Sequence, residues 1–331
     1  AHSVQLHGIG EPLTSPSFWR ALEGNHFHKD CEVSFNSNLT ILDDKRINRL
    51  LQFNGKLLIN ISLDAATEQT YRRIRGYDFN IVLNNLRRLV SARGDRPLPI
   101  VFMNMTLMRE NIEEVVQFVE LAKDLGANGV LFGHLNRLPG EYMARYKITQ
   151  EDGWRFDYAQ QGLWNFPDLS NKWIRAAVQR GDELQIPVNL DHNKVVFFDE
   201  EEDGLDATPH GTSESTSDTD GQISVKDCNY PWNWAIVASD GRVAPCCFST
   251  NVVGNINEDK FETIWNGDRM QELRRDVLAD RINTICKGAS CKYVQAMNAT
   301  TAPEVELETR EPSITERLRK VFIAFWRRTS R

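Results

Sequence analysis

Strand-like and helix-like segments alternate along the first two thirds of the chain, and this rhythm is the feature that most restricts the fold. Short apolar runs are each followed by a segment with polar or helical periodicity. The predicted strands are VQLHGIG, EVSFNSN, KLLINISLD, PIVFMNMTL and NGVLFGHL. Because repeated strand and helix units form a parallel sheet with helices outside it, the pattern predicts an α/β fold, either an open doubly wound sheet or a barrel.

Capping residues and apolar spacing place the helices between these strands. Ser15 and Pro16 suit the N-cap and first position of a helix over SPSFWRALEG, and LDDKRINRLL is the next predicted helix. Gly126 ends a helix over NIEEVVQFVELAKDLG. A looser pattern follows, with a helix near NKWIRAAVQRGDEL. One face of DFNIVLNNLRRLVSARG carries Phe79, Val82, Leu83, Leu86, Leu89 and Val90.

The composition predicts a cytoplasmic globular protein with no nucleic-acid partner. Hydrophobic residues make up 41% of the chain, and no apolar run approaches the roughly 20 residues that span a bilayer. The net charge of −7 is concentrated in Asp199 to Asp220, which holds nine carboxylates and no Lys or Arg. The remainder has no strong field to attract nucleic acid. We predict an acidic disordered insertion over residues 197–222.

Five of the six cysteines crowd into the last third of the chain and indicate a metal site. The spacing C-x12-G-x4-C surrounds a hairpin-like turn at Asp240 and Gly241, which brings two sulfurs together across a β-ribbon. Four thiolates fit either a tetrahedral zinc or a 4Fe-4S cluster, and buried structural cysteines are the alternative. Cys247 points away from its neighbour and is the predicted non-ligand. The predicted ligands are Cys228, Cys246, Cys286 and Cys291.

The cysteine pattern, the segment GNINEDKFETIWNGDRMQELR and the closing cysteine pair resemble the SPASM or twitch auxiliary domain of radical S-adenosylmethionine (radical SAM) enzymes. Upstream, GIGEPL resembles the glycine-glycine-glutamate motif of that superfamily, and ISLDAATEQTYRRIRG its fourth-strand segment. The resemblance implies a partial (βα)6 barrel, with its first strand missing, over residues 1–190. A small Cys-rich SPASM/twitch α+β module over residues 223–300 would follow it.

The resemblance also implies which residues bind S-adenosylmethionine. Glu11 would hold the methionine amino group through a charge-assisted hydrogen bond, and the glycines beside it would allow close backbone approach. An Arg and a Ser near the same sheet edge suit the carboxylate and ribose of a zwitterionic ligand. Leu107, Met108 and Asn111 are the implied adenine surface. The implied cofactor-binding residues are Gly8, Gly10, Glu11, Ser62, Asp64 and Arg75.

The sequence departs from the family pattern in three places. It contains no CxxxCxxC loop, and Cys31 alone cannot replace three convergent thiolates, so we expect an N-terminally truncated chain that is inactive by itself. The closing cysteine pair is C-x4-C where relatives usually have C-x2-C, and the further cysteines of a full SPASM module are missing. The resemblance therefore implies one auxiliary cluster, as in twitch modules. Leu39 replaces the glycine of a Thr-Asn-Gly turn.

The implied activity is that of a radical SAM oxidoreductase or maturase. A 5′-deoxyadenosyl radical would abstract hydrogen from a sugar, a peptide or another small molecule, and the auxiliary 4Fe-4S cluster would assist a net oxidation. The radical-generating 4Fe-4S cluster requires cysteines from the missing N-terminus, and electrons would come from a donor such as flavodoxin or ferredoxin. The alternative is a non-catalytic barrel remnant whose four-cysteine site binds zinc or iron-sulfur structurally and serves as an interaction module.

The C-terminal residues 301–331 read as a linker and a basic amphipathic helix. Ser313 and Glu316 form a predicted capping box, and an apolar stripe is surrounded by arginines. Such a helix suits peripheral contact with an anionic membrane surface, docking on a partner, or packing on its own core.

Overall fold

A computed structural model describes residues 2–6, 10–24, 27–135, 147–149, 154–190, 224–249, 251–286, 291 and 293–294. The chain divides into two compact units, Ala1–Thr216 and Ser217–Arg331. The predicted acidic insertion, the predicted C-terminal helix and Gly8 lie outside the described residues.

A six-stranded parallel sheet forms the centre of the first unit. Its strands follow one another in space in the same order as in the sequence, without the reversal that defines a doubly wound sheet. This order belongs to a barrel-type sheet and decides between the two predicted architectures. The strands are β1 (Ser3–Gln5), β2 (Glu32–Ser37), β3 (Lys56–Ser62), β4 (Ile100–Leu107), β5 (Gly129–His134) and β8 (Val188–Leu190).

The predicted helices of this unit are confirmed, and the structure adds elements that the sequence reading did not identify. New elements include helix α3 (Glu68–Arg75), which Thr67 caps and Gly76 ends, and the sixth strand of the sheet. A small antiparallel pair, β6 (Lys147–Thr149) and β7 (Arg155–Asp157), lies apart from the main sheet. The helices are α1 (Pro16–Glu23), α2 (Asp44–Leu51), α3 (Glu68–Arg75), α4 (Phe79–Arg93), α5 (Val115–Asp124), α6 (Tyr158–Gln161) and α7 (Pro167–Leu184).

The two faces of the large sheet differ in character. In β3 and β4 every second side chain is buried, as the two-residue period of a strand requires, and these residues pack in the core with the helices. Ile59, Ile61, Val101 and Met103 are each 0% exposed. The intervening side chains are partly exposed. We call the opposite side the inner face; it includes Ser34, Asn36, Leu58, Asn60, Ser62, Ile100, Phe102, Asn104 and Thr106.

In its described residues, the second unit is built on a small three-stranded antiparallel sheet and three α-helices. Its predicted hairpin is confirmed, since β9 (Ile236–Val237) and β10 (Arg242–Ala244) pair antiparallel across the turn that contains Gly241. Gly241 has a φ of 85°, and a Cβ there would lie 2.3 Å from the Asn257 side chain, so the turn needs glycine. The elements are α8 (Tyr230–Asn233), β9 (Ile236–Val237), β10 (Arg242–Ala244), β11 (Gly254–Asn255), α9 (Phe261–Asn266) and α10 (Asp268–Leu278).

A separate hydrophobic core holds the second unit together. Its central members are at most 7% exposed, and the half-buried Cys228 and Cys286 pack against them. The core residues are Val225, Val243, Val253, Ile264, Met270, Leu273, Val277 and Ile285. Across the residues that the structure describes in both units, no helix is long and apolar enough to cross a membrane.

Candidate functional site

Three donors fix the carboxylate of Glu11 at the carboxyl edge of the sheet. The Ser37 hydroxyl donates to Oε1 at 2.7 Å, the Asn38 backbone N–H donates to Oε2 at 2.8 Å, and the Leu13 N–H donates to Oε1 at 3.2 Å. Because Ser37 ends β2, these bonds tie the segment after β1 to the neighbouring strand. A carboxylate offers about four lone-pair sites, so room remains on Oε2 for one ligand N–H.

Two residues with positive φ shape the backbone around this carboxylate. Gly10 has a φ of 123°, a conformation that side chains disfavour. Leu39 has a φ of 54° and is fully buried. The turn is therefore left-handed at a residue that has a side chain. Its strain of about 1 kcal/mol is offset by burial of the leucine side chain, which stabilises by about 2 kcal/mol.

Asp64 and Arg75 form an ion pair directly after β3. Arg75 Nη2 lies 2.5 Å from Asp64 Oδ2, and the Thr106 N–H donates to Asp64 Oδ1 at 2.6 Å. Asp64 has a φ of 61°, which Asp and Asn tolerate better than other side chains. Both carboxylate oxygens are thus engaged by the protein, so the contacts give Asp64 a positioning role. Arg75 is 31% exposed, and its fork of five donors can meet a second carboxylate.

Glu114 holds the first turn of α3, and the sequence reading did not identify it. Its side chain accepts from the backbone N–H groups of Ala66 and Thr67, and from the hydroxyls of Thr67 and Thr70 at 2.8 and 2.5 Å. These bonds satisfy donors at the helix N-terminus, which have no partner within the helix. Since Arg75 is the last residue of α3, Glu114 fixes the helix that carries this guanidinium. No spacing or motif in NIEEVV indicates such a contact.

Ser62 is the last residue of β3 and is half-buried. The residue before it, Ile61, pairs in register with Ser37. Glu11 and Ser62 therefore flank the end of β2, at the same edge of the sheet. The roles of these residues toward S-adenosylmethionine remain predictions.

The implied adenine surface at the end of β4 is wrong. Leu107, Met108 and Asn111 are 0%, 4% and 0% exposed, so none of them presents a surface. The Asn111 amide donates to the carbonyl groups of Asp64 and Thr106, each at 2.9 Å, and its oxygen accepts from the Met108 N–H. Asn111 instead joins the backbone after β3 to the backbone at the end of β4.

The predicted cluster ligands lie at the ends of short elements in the second unit. Cys228 follows the 3-10 helix Val225–Asp227, and Cys286 ends the 3-10 helix Thr284–Cys286. Cys246 follows β10 and is half-buried, as are Cys228, Cys286 and Cys291, whereas Cys247 is exposed. Cys31, in the first unit, is 4% exposed and belongs to the core of that unit.

The thiols of the second unit are close enough to influence one another electrostatically. Burial raises the pKa of Cys286 to about 12, and the negative charges of Cys246, Cys228 and Cys291 act in the same direction. Burial also raises the pKa of Cys246. Raised pKa values favour the protonated thiols, and a cationic metal centre would displace these protons, because metal binding and thiol deprotonation are coupled.

The chemistry of these side chains suits a metal centre. Four cysteine sulfurs are the donor set of both a tetrahedral zinc site and a 4Fe-4S cluster, so the residues present fit a cluster in kind.

Both units contain a segment that matches a known protein family. Residues 6–122 match the radical SAM superfamily, and residues 228–292 match SPASM, an iron-sulfur cluster-binding domain. The chain thus combines a radical SAM domain with a SPASM domain, and the resemblance drawn from the sequence is confirmed. S-adenosylmethionine and iron-sulfur clusters are the cofactors that these two families imply. The SPASM match includes all four predicted ligands.

Two kinds of curated relative cover different shares of the chain. The AdoMet-dependent heme synthase of Methanosarcina barkeri is 25% identical over 275 residues, which are 80% of this chain and 69% of that protein. A probable GTP 3′,8-cyclase of Saccharolobus islandicus is 30% identical over 155 residues. These are 46% of this chain and 47% of the cyclase, so the match spans about half of that relative.

Solved structures confirm the fold class. Streptococcus suis SuiB bound to S-adenosylmethionine superposes with a TM-score of 0.56 at 12% identity, over 87% of this chain and 59% of that chain. anSMEcpe with bound AdoMet and the Kp18Cys peptide gives a TM-score of 0.50 at 15% identity, over 89% and 74%. At such identities the likeness shows the fold alone, a parallel barrel-type sheet followed by a small α+β region.

Proposed function

We propose that the first unit binds S-adenosylmethionine at the carboxyl edge of its sheet and that the second unit binds one auxiliary 4Fe-4S cluster. In this proposal the protein is a radical SAM oxidoreductase that removes hydrogen from an organic substrate. The observation that carries the proposal is the fixed carboxylate of Glu11, which faces the same sheet edge as the guanidinium of Arg75. One group suits the ammonium of an amino acid and the other its carboxylate.

Each proposed contact has a defined physical role. Glu11, held by Ser37 and Asn38, accepts a hydrogen bond from the methionine ammonium without having to reorganise. Arg75 keeps one N–H on Asp64 and turns its remaining donors to the methionine carboxylate. Ser62 donates its hydroxyl hydrogen to an oxygen of the ligand or accepts from a ribose hydroxyl. Gly10 lets the ligand approach the backbone closely.

The cofactor supplies the chemistry that no side chain here can perform. On one-electron reduction, bound S-adenosylmethionine would supply a 5′-deoxyadenosyl radical for hydrogen abstraction from substrate, with methionine as the other product. That electron would come from a radical-generating 4Fe-4S cluster, with a reductant such as flavodoxin or ferredoxin as its source. The residues of this chain bind the cofactor, orient it and shield the site.

Relatives support this reaction class without selecting a substrate. The names of the matched proteins refer to heme synthesis and to GTP cyclisation, and two structural neighbours are solved with peptides. These names refer to different chemical classes and so do not select one for this chain. We therefore extend to this chain only hydrogen abstraction from a small molecule or a peptide.

The proposal is tested by binding of S-adenosylmethionine to the full chain, measured by isothermal titration calorimetry. Glu11→Gln keeps the shape of the side chain but removes its charge, and a hydrogen bond to a charged group contributes about 1.5–3 kcal/mol. We expect the Kd to rise about 10-fold to 100-fold. Glu32→Gln, at the exposed first residue of β2, is the matched control and leaves the Kd unchanged.

Two results would oppose the proposal. Equal affinity of wild type and Glu11→Gln would remove Glu11 from the cofactor site. Absence of 5′-deoxyadenosine from a protein that carries both clusters and is supplied with reductant under anaerobic conditions would refute the radical reaction itself.

A further inference from the structure

The middle of the inner face carries hydrogen-bonding side chains that are partly open to solvent. Three neighbouring strands place Asn36, Asn60 and Phe102 side by side in register, and Gly129 of β5 follows Phe102. The Asn60 amide donates to the Asn36 side-chain oxygen at 3.1 Å. We call Asn36, Asn60 and Phe102 the amide row.

The side-chain oxygen of Asn60 is buried and has no hydrogen-bond donor among the described residues. A buried carbonyl oxygen without a donor is unfavourable, and such groups in native proteins call for an explanation. Its partner Asn36 is partly exposed on the same face. A ligand that donates a hydrogen bond to Asn60 would satisfy this oxygen.

Phe102 contributes a flat apolar surface next to these amides. A Cβ added at Gly129 would lie 2.9 Å from the Phe102 ring, so the ring lies directly over the glycine. Phe102 is partly exposed although it is a large apolar residue in the middle of a sheet. An aromatic ring beside a pair of amides suits a ligand with both C–H and hydrogen-bonding groups.

The rows on either side of the amide row are also uncharged. The preceding row pairs Ser34 with Leu58 and Leu58 with Ile100, and the following row pairs Ser62 with Asn104. Within these rows of β2, β3 and β4 there is no Lys, Arg, Asp or Glu. A charge placed against this surface would lose its water without gaining a counter-ion, which is unfavourable.

We propose that the amide row binds an uncharged part of the substrate that carries hydroxyl or amide groups. This inference rests on the proposed function, since it names the substrate chemistry of the same barrel-type sheet. Asn36 and Asn60 donate to and accept from the substrate groups, and Phe102 packs on its carbon skeleton. Phosphate or carboxylate groups of a substrate, where present, lie away from this row.

The test measures binding of three small probes to the full chain by saturation-transfer NMR. N-acetylglucosamine is neutral and carries hydroxyls and an amide, N-acetylglycinamide carries amides alone, and glucuronate carries hydroxyls and a negative charge. We expect one or both neutral probes to bind at least about tenfold more tightly than glucuronate. A tenfold difference in Kd corresponds to the contribution of about one hydrogen bond, which the charged probe would fail to make. The neutral probe that binds distinguishes a sugar from a peptide as the source of the groups.

Asn60→Leu removes the hydrogen-bonding groups at similar size and should weaken binding of that neutral probe about tenfold. Asn80→Leu, on the exposed surface of α4, is the matched control and should leave it unchanged. Phe102→Leu provides a second variant should Asn60→Leu not fold, and we expect it also to weaken binding of the neutral probe.

Several results would overturn the inference: no binding of either neutral probe, tighter binding of glucuronate, or unchanged binding in the folded Asn60→Leu or Phe102→Leu chain. Calorimetry with S-adenosylmethionine on the same variants separates the two proposals. Loss of the neutral probe with unchanged cofactor binding supports the amide row. Retained probe binding in a chain that never binds the cofactor opposes the proposed function alone.

Discussion

Arg75 Nη2 lies 2.5 Å from Asp64 Oδ2, and this ion pair joins the end of α3 to the turn after β3. The Asp64 side chain is only 7% exposed, while that of Arg75 is 31% exposed. The carboxylate is therefore an internal anchor, and the guanidinium is held at the surface of the sheet edge. The pair fixes the geometry of a group that we propose for the ligand carboxylate.

Replacing Asp64 by Asn and by Ala should separate its charge from its backbone role. Asp64→Asn retains an acceptor for the Thr106 N–H and tolerates the positive φ, but loses the ion pair, at a cost of about 1 kcal/mol because Arg75 is partly solvated. Asp64→Ala loses both contacts and is strained at a φ of 61°, so we expect its free energy of unfolding to fall by about 2–4 kcal/mol. Urea unfolding measures the stability of both variants. Equal losses of stability in Asp64→Asn and Asp64→Ala would contradict the role of Asp64 in holding the backbone.

Glu114 should be more important for stability than its neighbour Glu113. Glu114→Ala leaves the donors of Ala66, Thr67 and Thr70 without their acceptor, and we expect a loss of about 2–3 kcal/mol. Glu113→Ala removes only an exposed pair with Arg109 at 3.6 Å, worth at most about 0.5 kcal/mol. Urea unfolding and hydrogen exchange of the α3 amides test the difference. Similar protection of α3 in the two variants would show that Glu114 does not hold this helix.

The sequence predicted the strands and helices of the first unit well because their signals are local. Strand periodicity, the Ser15 N-cap and Gly126 at a helix end depend on neighbouring residues only, and the structure confirms these elements. The hairpin at Gly241 was predictable for the same reason, since its φ of 85° demands glycine. Helix α3 has local cap signals in Thr67 and Gly76, but its mostly polar sequence lacks the apolar stripe that marks the other helices.

The contacts between distant segments could not be predicted in this way. Glu114 reaches across more than forty residues to Thr67 and Thr70, and Ser37 reaches Glu11 across 26 residues. Such pairs depend on how strands and helices come together in three dimensions. The error at Asn111 has the same origin, because a polar residue at a strand end can equally be exposed to a ligand or buried between two backbones, as here.

Acid should loosen the second unit through Asp276. Hydrogen bonds from Arg281 and Asn283 lower the pKa of this carboxyl below its ordinary value of 3.8. A lowered folded-state pKa stabilises the fold above the unfolded-state value, and this contribution is lost as the pH falls through the folded-state pKa. We expect amide protection in α10, corrected for intrinsic exchange rates, to be constant above about pH 5 and to fall below about pH 4.

Two substitutions check the origin of this acid sensitivity. Asp276→Asn should reduce protection at neutral pH and make it less dependent on pH. Asp259→Asn, which changes an exposed carboxylate outside the network, should leave the profile as in wild type. An unchanged pH profile in Asp276→Asn would assign the loss of protection to other groups.

The metal content of the purified chain should identify the metal centre, and cysteine substitutions should identify its ligands. After anaerobic reconstitution of the full chain we expect about four irons with matching sulfide, since four thiolates from two local pairs suit a 4Fe-4S cluster. About one zinc per chain would instead support the non-catalytic module with a structural metal. Cys286→Ala should lose the metal in either case, as should Cys246→Ala, because an incomplete ligand set binds it weakly.

Cys247→Ala is the matched control for these variants. Cys247 adjoins Cys246 in sequence but is exposed, whereas the four predicted ligands are half-buried. A non-ligand position predicts unchanged iron and sulfide content and an unchanged visible absorption spectrum. Loss of the cluster in Cys247→Ala, with retention in Cys246→Ala, would exchange the roles of the two cysteines. Retention in Cys286→Ala would show that the closing pair does not bind the cluster as proposed.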